Sequence, residues 1–115
     1  MLDPNVLRGK REFSAVYNKG RSAASKYVVV FYKKNGLDHN RLGFLASKKV
    51  GNAVARNRAR RLMKESVRTE VDIKAKGYDI IFIARNTING KKKGDVAASM
   101  RSVVERTELS GKKNK

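Results

Sequence analysis

The stretch that most limits the possible folds is YDIIFIA, residues 78–84. Only Asp79 interrupts its apolar character. A strand with one face in water alternates apolar and polar residues. A near-continuous apolar strand must instead be covered on both faces, which is the habit of a central strand. The chain must therefore fold around this segment. With 115 residues it does so as one domain with a modest core. No apolar run is long enough for a transmembrane helix.

The other elements follow from periodicity and turn chemistry. Lys26–Lys34 (KYVVVFYKK) is rich in β-branched and aromatic residues and reads as a strand. Alternation puts Tyr27, Val29 and Phe31 on one face and Val28, Val30 and Tyr32 on the other. Asn35-Gly36 signals a turn that extends through Asp38, His39 and Asn40. A second strand, Arg41–Ser47, sets Leu42, Phe44 and Ala46 against Arg41, Gly43, Leu45 and Ser47. Before these strands, Phe13, Val16 and Tyr17 fall at i, i+3 and i+4, one face of a helix starting at Lys10. Gly20 is expected to stop that helix in the left-handed conformation. A second helix runs from about 52 to 69 after Gly51-Asn52. A third is capped by Asp95 and carries Val96, Met100, Val103 and Val104 at helical spacing. Residues 1–9 read as a flexible arm with Val6 and Leu7 as apolar anchors. The loop 86–94 holds Lys91-Lys92-Lys93, and the basic tail 111–115 is expected to fray. This order of elements specifies a small α+β sandwich, a single domain over residues 1–115.

Charge bears on partners. Lys and Arg number 28 against 10 Asp and Glu, a formal net charge of +18. Such self-repulsion opposes compaction and calls for a polyanion to relieve it. Nucleic acid is the first candidate and an anionic membrane surface the second. The cations are concentrated: between Lys48 and Arg68 stand eight Lys or Arg (48, 49, 56, 58, 60, 61, 64, 68) and one acid, Glu65. On a helical wheel Ala55, Ala59, Leu62, Met63 and Ser66 share one side. Arg56, Arg60 and Lys64 form a row beside them, and Asn57, Arg61, Arg68 and Arg58 complete a broad polar arc. An ordinary solvated helix alternates acids with such cations at i±4. Five of the eight are Arg 56, 58, 60, 61 and 68, whose planar forks suit phosphates and bases. The helix therefore reads as a phosphate-binding surface. Asn57 either bonds a base or sugar or caps a local backbone group.

The run Lys48-Lys49-Val50-Gly51-Asn52-Ala53-Val54, then Arg56-Asn57-Arg58 and Arg60-Arg61, resembles the signature of the bacterial ribonuclease P protein component. Phe13 and Tyr17, Gly20, the aromatic strand at 27–32, Arg41-Leu42-Gly43 and the strand ending at Arg85 fall in that family's order, so the resemblance spans about residues 7–107. It implies a central four-stranded sheet with three helices, the fourth strand being a short one near Arg21–Ser25. It also implies a left-handed βαβ crossover through the basic helix, where general handedness rules give the opposite. By the same resemblance the chain is the protein subunit of an endoribonuclease whose RNA carries the catalysis. The enzyme removes the 5′ leader of precursor tRNA and leaves the mature 5′ end. Mg²⁺ is then held mainly by the RNA partner and substrate, with no cofactor bound tightly by the protein. Arg56, Asn57, Arg58, Arg60, Arg61 and Lys64 would dock on the catalytic RNA. Phe13, Tyr17 and Phe31 would line a cleft for the leader, bordered by Lys48, Asn52 and Arg85. Periodicity by itself assigns the three aromatics to core packing; the resemblance moves them to the cleft. Val16, Val28, Val30, Phe44, Leu62, Ile81 and Ile83 are core on either reading. Departures from the family pattern are small: Tyr17 and Phe31 are aromatic exchanges, and Leu45 is bulky for the cleft face.

Other classes fare less well. A protein nuclease needs an acid–base pair or a carboxylate cage. His39 is the sole His and sits in a turn; the acids are scattered, Glu105 and Glu108 being a solvated i, i+3 pair. No Gly-rich phosphate loop is present. The chain has no Cys, which excludes disulfides and thiolate metal sites. A ribosomal or other structural RNA-binding protein is the alternative, but it needs no open stacking cleft. A membrane-surface protein would need an apolar face beside its cations, and the apolar side of the basic helix is committed to packing. The expectation is a cytoplasmic protein without a secretory signal. Its partners are the catalytic RNA and precursor tRNA, with no membrane and no obligate protein partner.

Overall fold

Tyr78–Ala84 is indeed an inner strand. The computed structural model describes residues 5–7 and 9–111. Its elements in chain order are α1 (Gly9–Lys19), β1 (Arg21–Ala24), β2 (Val28–Lys34), β3 (Arg41–Ala46), α2 (Ala53–Thr69), β4 (Tyr78–Ala84) and α3 (Lys93–Glu105). Single 3₁₀ turns at Asn86–Ile88 and Glu108–Ser110 complete them. The sheet order is β1-β2-β4-β3, so β4 pairs antiparallel with β2 and parallel with β3. The parallel pair is joined by α2, as a crossover requires. The expected fourth strand is β1, antiparallel to β2.

Alternation divides the sheet between two clusters. Val28, Val30, Tyr32, Ile80, Phe82 and Ala84 face α2 and α3 and meet Ala59, Met63, Val96, Met100 and Val103. Phe44 stacks on Phe82 at 5.8 Å between centroids. These two helices and the sheet form the sandwich. The opposite face carries a smaller cluster, Val16 of α1 with Ile81 and Leu7. Phe82, Ile80 and Ile81 are wholly inaccessible, and each such side chain contributes on the order of 1.5–3 kcal/mol. Asp79, the polar interruption, accepts two hydrogen bonds from Arg41, at 2.8 and 2.7 Å.

Several local expectations are corrected. Gly20 does end α1, but not through a left-handed turn. A Cβ there would lie 2.5 Å from the Val16 carbonyl oxygen and 2.6 Å from that of Tyr32, so close backbone approach selects glycine. Tyr27 precedes β2 and leaves the Val29–Phe31 face; it packs on the α3 side, with the Lys91 ammonium 5.4 Å from its ring centroid. Asp95 does cap α3, but from its third position rather than as the N-cap residue: its carboxylate reaches back to accept from the Lys92 backbone N–H at 3.1 Å. Glu108 leaves the helix of Glu105, accepts from the Tyr78 hydroxyl at 2.8 Å and pairs with Arg21 at 3.7 Å. Of the expected arm, residues 1–4 and 8 lie outside the described residues, as do 112–115 of the tail. Residues 5–7 run beside β3: Leu7 N–H donates to the Leu42 carbonyl at 2.9 Å, and Leu42 N–H to that of Asn5 at 2.8 Å. Leu7 is buried, whereas Val6 is exposed.

Candidate RNA interface

The basic helix is positioned by its buried stripe. Ala59, Met63 and Ser66 are inaccessible or nearly so, with Ala55 and Leu62 beside them. Asn52 caps the N-terminus, its Oδ1 accepting from Ala55 N–H at 3.0 Å. Once the stripe is turned inward, the arc of cations must face outward. Among the described residues Arg56, Arg58, Arg60, Arg61 and Lys64 form no ion pair, whereas Arg68 is gripped by Glu65 at 2.7 and 2.9 Å. That grip holds the Glu65 carboxyl below its ordinary value, chiefly through the hydrogen bond.

The six residues expected to dock on RNA differ in surroundings. Arg58 points toward the loop before α3 and donates to the Lys91 carbonyl at 2.7 Å, which makes it partly a tether. Arg56 has a buried Nε with no partner among the described residues. Asn57 Oδ1 accepts from the Arg60 guanidinium and so orients that fork. Arg61 is exposed, with Val54 on the same outward arc. Lys64 lies on the other flank. It lines a groove of about 440 Å³ along the outer edge of β3, with Leu42, Phe44, Phe13 and residues 5–7.

The second surface is read from the sheet register. Phe31, Ile81 and Gly43 are cross-strand neighbours, and α1 lies over this row. Tyr17 meets Phe31 edge-on, 5.1 Å between centroids, and Val16 packs with Ile81. Phe13 occupies the space above Gly43, where a Cβ would come within 2.9 Å of its ring. Tyr17 and Phe31 thus form a pair, while Phe13 sits apart at the β3 edge beside Lys64. Tyr17 is 37% exposed, and its hydroxyl pKa is raised by desolvation. The next row, Val29, Ile83 and Leu45, is half-buried and aliphatic.

That strip leads to the carboxyl ends of β3 and β4, where parallel strands diverge into loops and ligands commonly bind. Lys48 follows β3, Arg85 follows β4, and Asn52 opens α2, so all three rim the same end. Arg85 is held by a bond from Nη1 to the Ser25 carbonyl at 2.7 Å. Asn89 donates to the Val50 carbonyl at 2.6 Å and ties the two rim loops together. In the sequence Lys91 is one member of a cation run. Its places over Tyr27 and against Arg58 carry no local signal. Among the described residues no three His, Cys, Asp or Glu side chains gather to hold a metal. No described helix is long and apolar enough to cross a membrane.

A mixed-sheet α+β domain whose cationic helix carries a single acid, Glu65, and whose opposite face bears aromatics rimmed by cations has the make-up of a basic RNA-binding protein. The comparisons narrow this class. The sequence model of the Ribonuclease P family matches residues 1–108, and the chain belongs to that family. It is 45% identical to the ribonuclease P protein component of Clostridioides difficile over 95% of this chain and 99% of that one. Among solved structures it resembles the RNase P protein from Thermotoga maritima, with a TM-score of 0.80, 31% identity, and 90% and 97% of the two chains covered. The Staphylococcus aureus RNase P protein matches at a TM-score of 0.79 and 30% identity, covering 93% and 98%.

Proposed function

We propose that the chain is the protein subunit of ribonuclease P, which associates with the enzyme's catalytic RNA and holds the 5′ leader of precursor tRNA while the RNA cuts. One observation carries this reading: α2 presents Arg56, Arg60, Arg61 and Lys64 with no ion-pair partner among the described residues, and a separate face offers the Tyr17–Phe31 pair beside a cationic rim. A structural RNA-binding protein needs the first surface alone, and family membership tells against that alternative.

The division of labour follows from the chemistry of each surface. Arg forks on α2 replace counterions along folded RNA phosphates, which makes docking strong and salt-dependent. Asn57 pre-orients Arg60, so less freedom is lost on contact. In the cleft, leader bases stack on Tyr17 and Phe31, each base worth about 1–3 kcal/mol whatever its identity. Phe13 extends this surface to the β3 edge. Lys48, Asn52 and Arg85 meet leader phosphates; Asn52 does so with its Oδ1 already committed to the helix cap. The described residues supply no cage for Mg²⁺, and in this proposal the metal belongs to the RNA partner and substrate. Added cations lower the phosphate repulsion that Mg²⁺ must otherwise screen. The place of work is the cytoplasm.

The test is single-turnover cleavage of leader-bearing precursor tRNA by a bacterial ribonuclease P RNA at low Mg²⁺, with and without this chain. Strong stimulation that grows with leader length is expected. Tight, salt-sensitive RNA binding without stimulation would return the chain to the structural alternative.

A further inference from the structure

Two rows of the α1-facing side of the sheet flank the row that α1 covers. On one side lies the aliphatic strip Val29, Ile83 and Leu45. On the other lie Asp79 and Arg41, paired across β4 and β3. Helix α1 is tied to the second of these. The Arg41 guanidinium donates to Glu12 Oε2 at 2.7 Å through Nη1, and to both Asp79 oxygens through Nε and Nη2. Asn35 adds a bond to Asp79 at 2.9 Å from the β2–β3 turn. The network is largely shielded, the Arg41, Glu12 and Asp79 side chains being 23%, 32% and 10% exposed.

The direction of this tether matters. Hydrophobic attraction is non-directional. An α1 held by Phe13, Val16 and Tyr17 alone would gain by sliding over the half-buried strip and covering it. Glu12 lies on the opposite flank of α1 from such a movement, and its bond to Arg41 is directional. We propose that Glu12, with Arg41 fixed by Asp79, is a positioning residue that holds α1 off the Val29–Ile83–Leu45 strip and so keeps the leader cleft open. This rests on the leader-binding reading above. Arg41 keeps its two bonds to Asp79 when Glu12 is removed, so the β3–β4 pairing survives that change.

The experiment compares Glu12→Ala and Glu12→Gln with the natural chain, each assembled with ribonuclease P RNA. Affinities are measured for a leader-bearing precursor and for mature tRNA, with Tm of each free protein alongside. The natural chain must prefer the precursor; if it does not, the leader-binding reading itself fails. Given that preference, Glu12→Ala is expected to lose about fivefold to tenfold in precursor affinity, the worth of part of one stacked base. Mature tRNA affinity should stay within about twofold. Glu12→Gln, which keeps an acceptor for Arg41, should fall between the two. Full retention of the preference in Glu12→Ala would overturn the proposal. So would an equal loss for both RNAs, or a precursor loss that tracks a fall in Tm across the two variants.

Discussion

At Arg60 the guanidinium has no ion-pair partner among the described residues and is oriented by the Asn57 amide. A group so placed is ready for a phosphate. Arg60→Ala should lower the slope of log K against log salt for RNA docking by about one, as loss of a single phosphate contact does. An unchanged slope would remove Arg60 from the interface. Asn57→Ala should weaken docking with the slope intact, because the charge remains and only its orientation is lost. Tyr78 tests a different matter, the seam between β4 and the turn at 108–110. Its phenol is pushed up from 10.0 to about 12, first by burial and then by the bond it donates to Glu108. The fold therefore prefers the protonated phenol. Below pH 10 both states hold that proton and the stabilisation is complete. From about pH 10 to 12 the unfolded chain releases it first, so stability falls as pH rises. Tm should decline more steeply in that window for the natural chain than for Tyr78→Phe, with lysine titration common to both. Parallel curves would refute the assignment.

Among the elements, α2 serves two purposes through one residue. Asn52 is both its N-cap and part of the cationic rim. Asn52→Ala should cost about 1 kcal/mol of stability. Asn52→Asp keeps the cap acceptor but sets a negative charge on the proposed leader path, so stability should hold while precursor affinity drops. If Asp and Ala variants lose affinity equally, the rim role fails and capping alone remains. The limits of this helix were legible within a residue because stripe and cap coincide: reading 52–69, finding Ala53–Thr69. The same holds for β4, whose apolar run is bounded by Gly77 and Arg85. Composition starts β2 two residues early, because Lys26 and Tyr27 suit a strand, yet Tyr27 N–H bonds Ser99 on α3 at 3.1 Å. Single 3₁₀ turns left no trace in the sequence, since one turn has no period to detect.

For the molecule as a whole, the net charge of +18 is a standing load on the fold. Sulfate or an RNA polyanion should raise Tm more than chloride at equal ionic strength, because bound anions favour the state that gathers the cations. Equal shifts would mean general screening only. At this scale the sequence is least informative. The cationic helix is local, so it could be read along the chain. The Glu12–Arg41–Asp79 network joins residues from three elements, and nothing near any of them announces the others. Likewise Lys64 was grouped with the arginines by helical spacing, while the fold sets it by Phe13 at the β3 edge.

The strand order has a consequence for how the chain is made. In β1-β2-β4-β3 the middle is closed by the last strand to leave the ribosome. Until Tyr78–Ala84 emerges, β3 and β2 have no common neighbour, and Val28, Val30 and Phe44 have no Phe82 to pack on. A nascent chain therefore carries both halves of an unfinished sheet from the end of β3 to the end of β4, a span of seconds at ordinary translation rates. A chain that stops before β4 leaves bare the apolar faces of β2 and β3 that Ile80, Ile81 and Phe82 cover in the finished sheet.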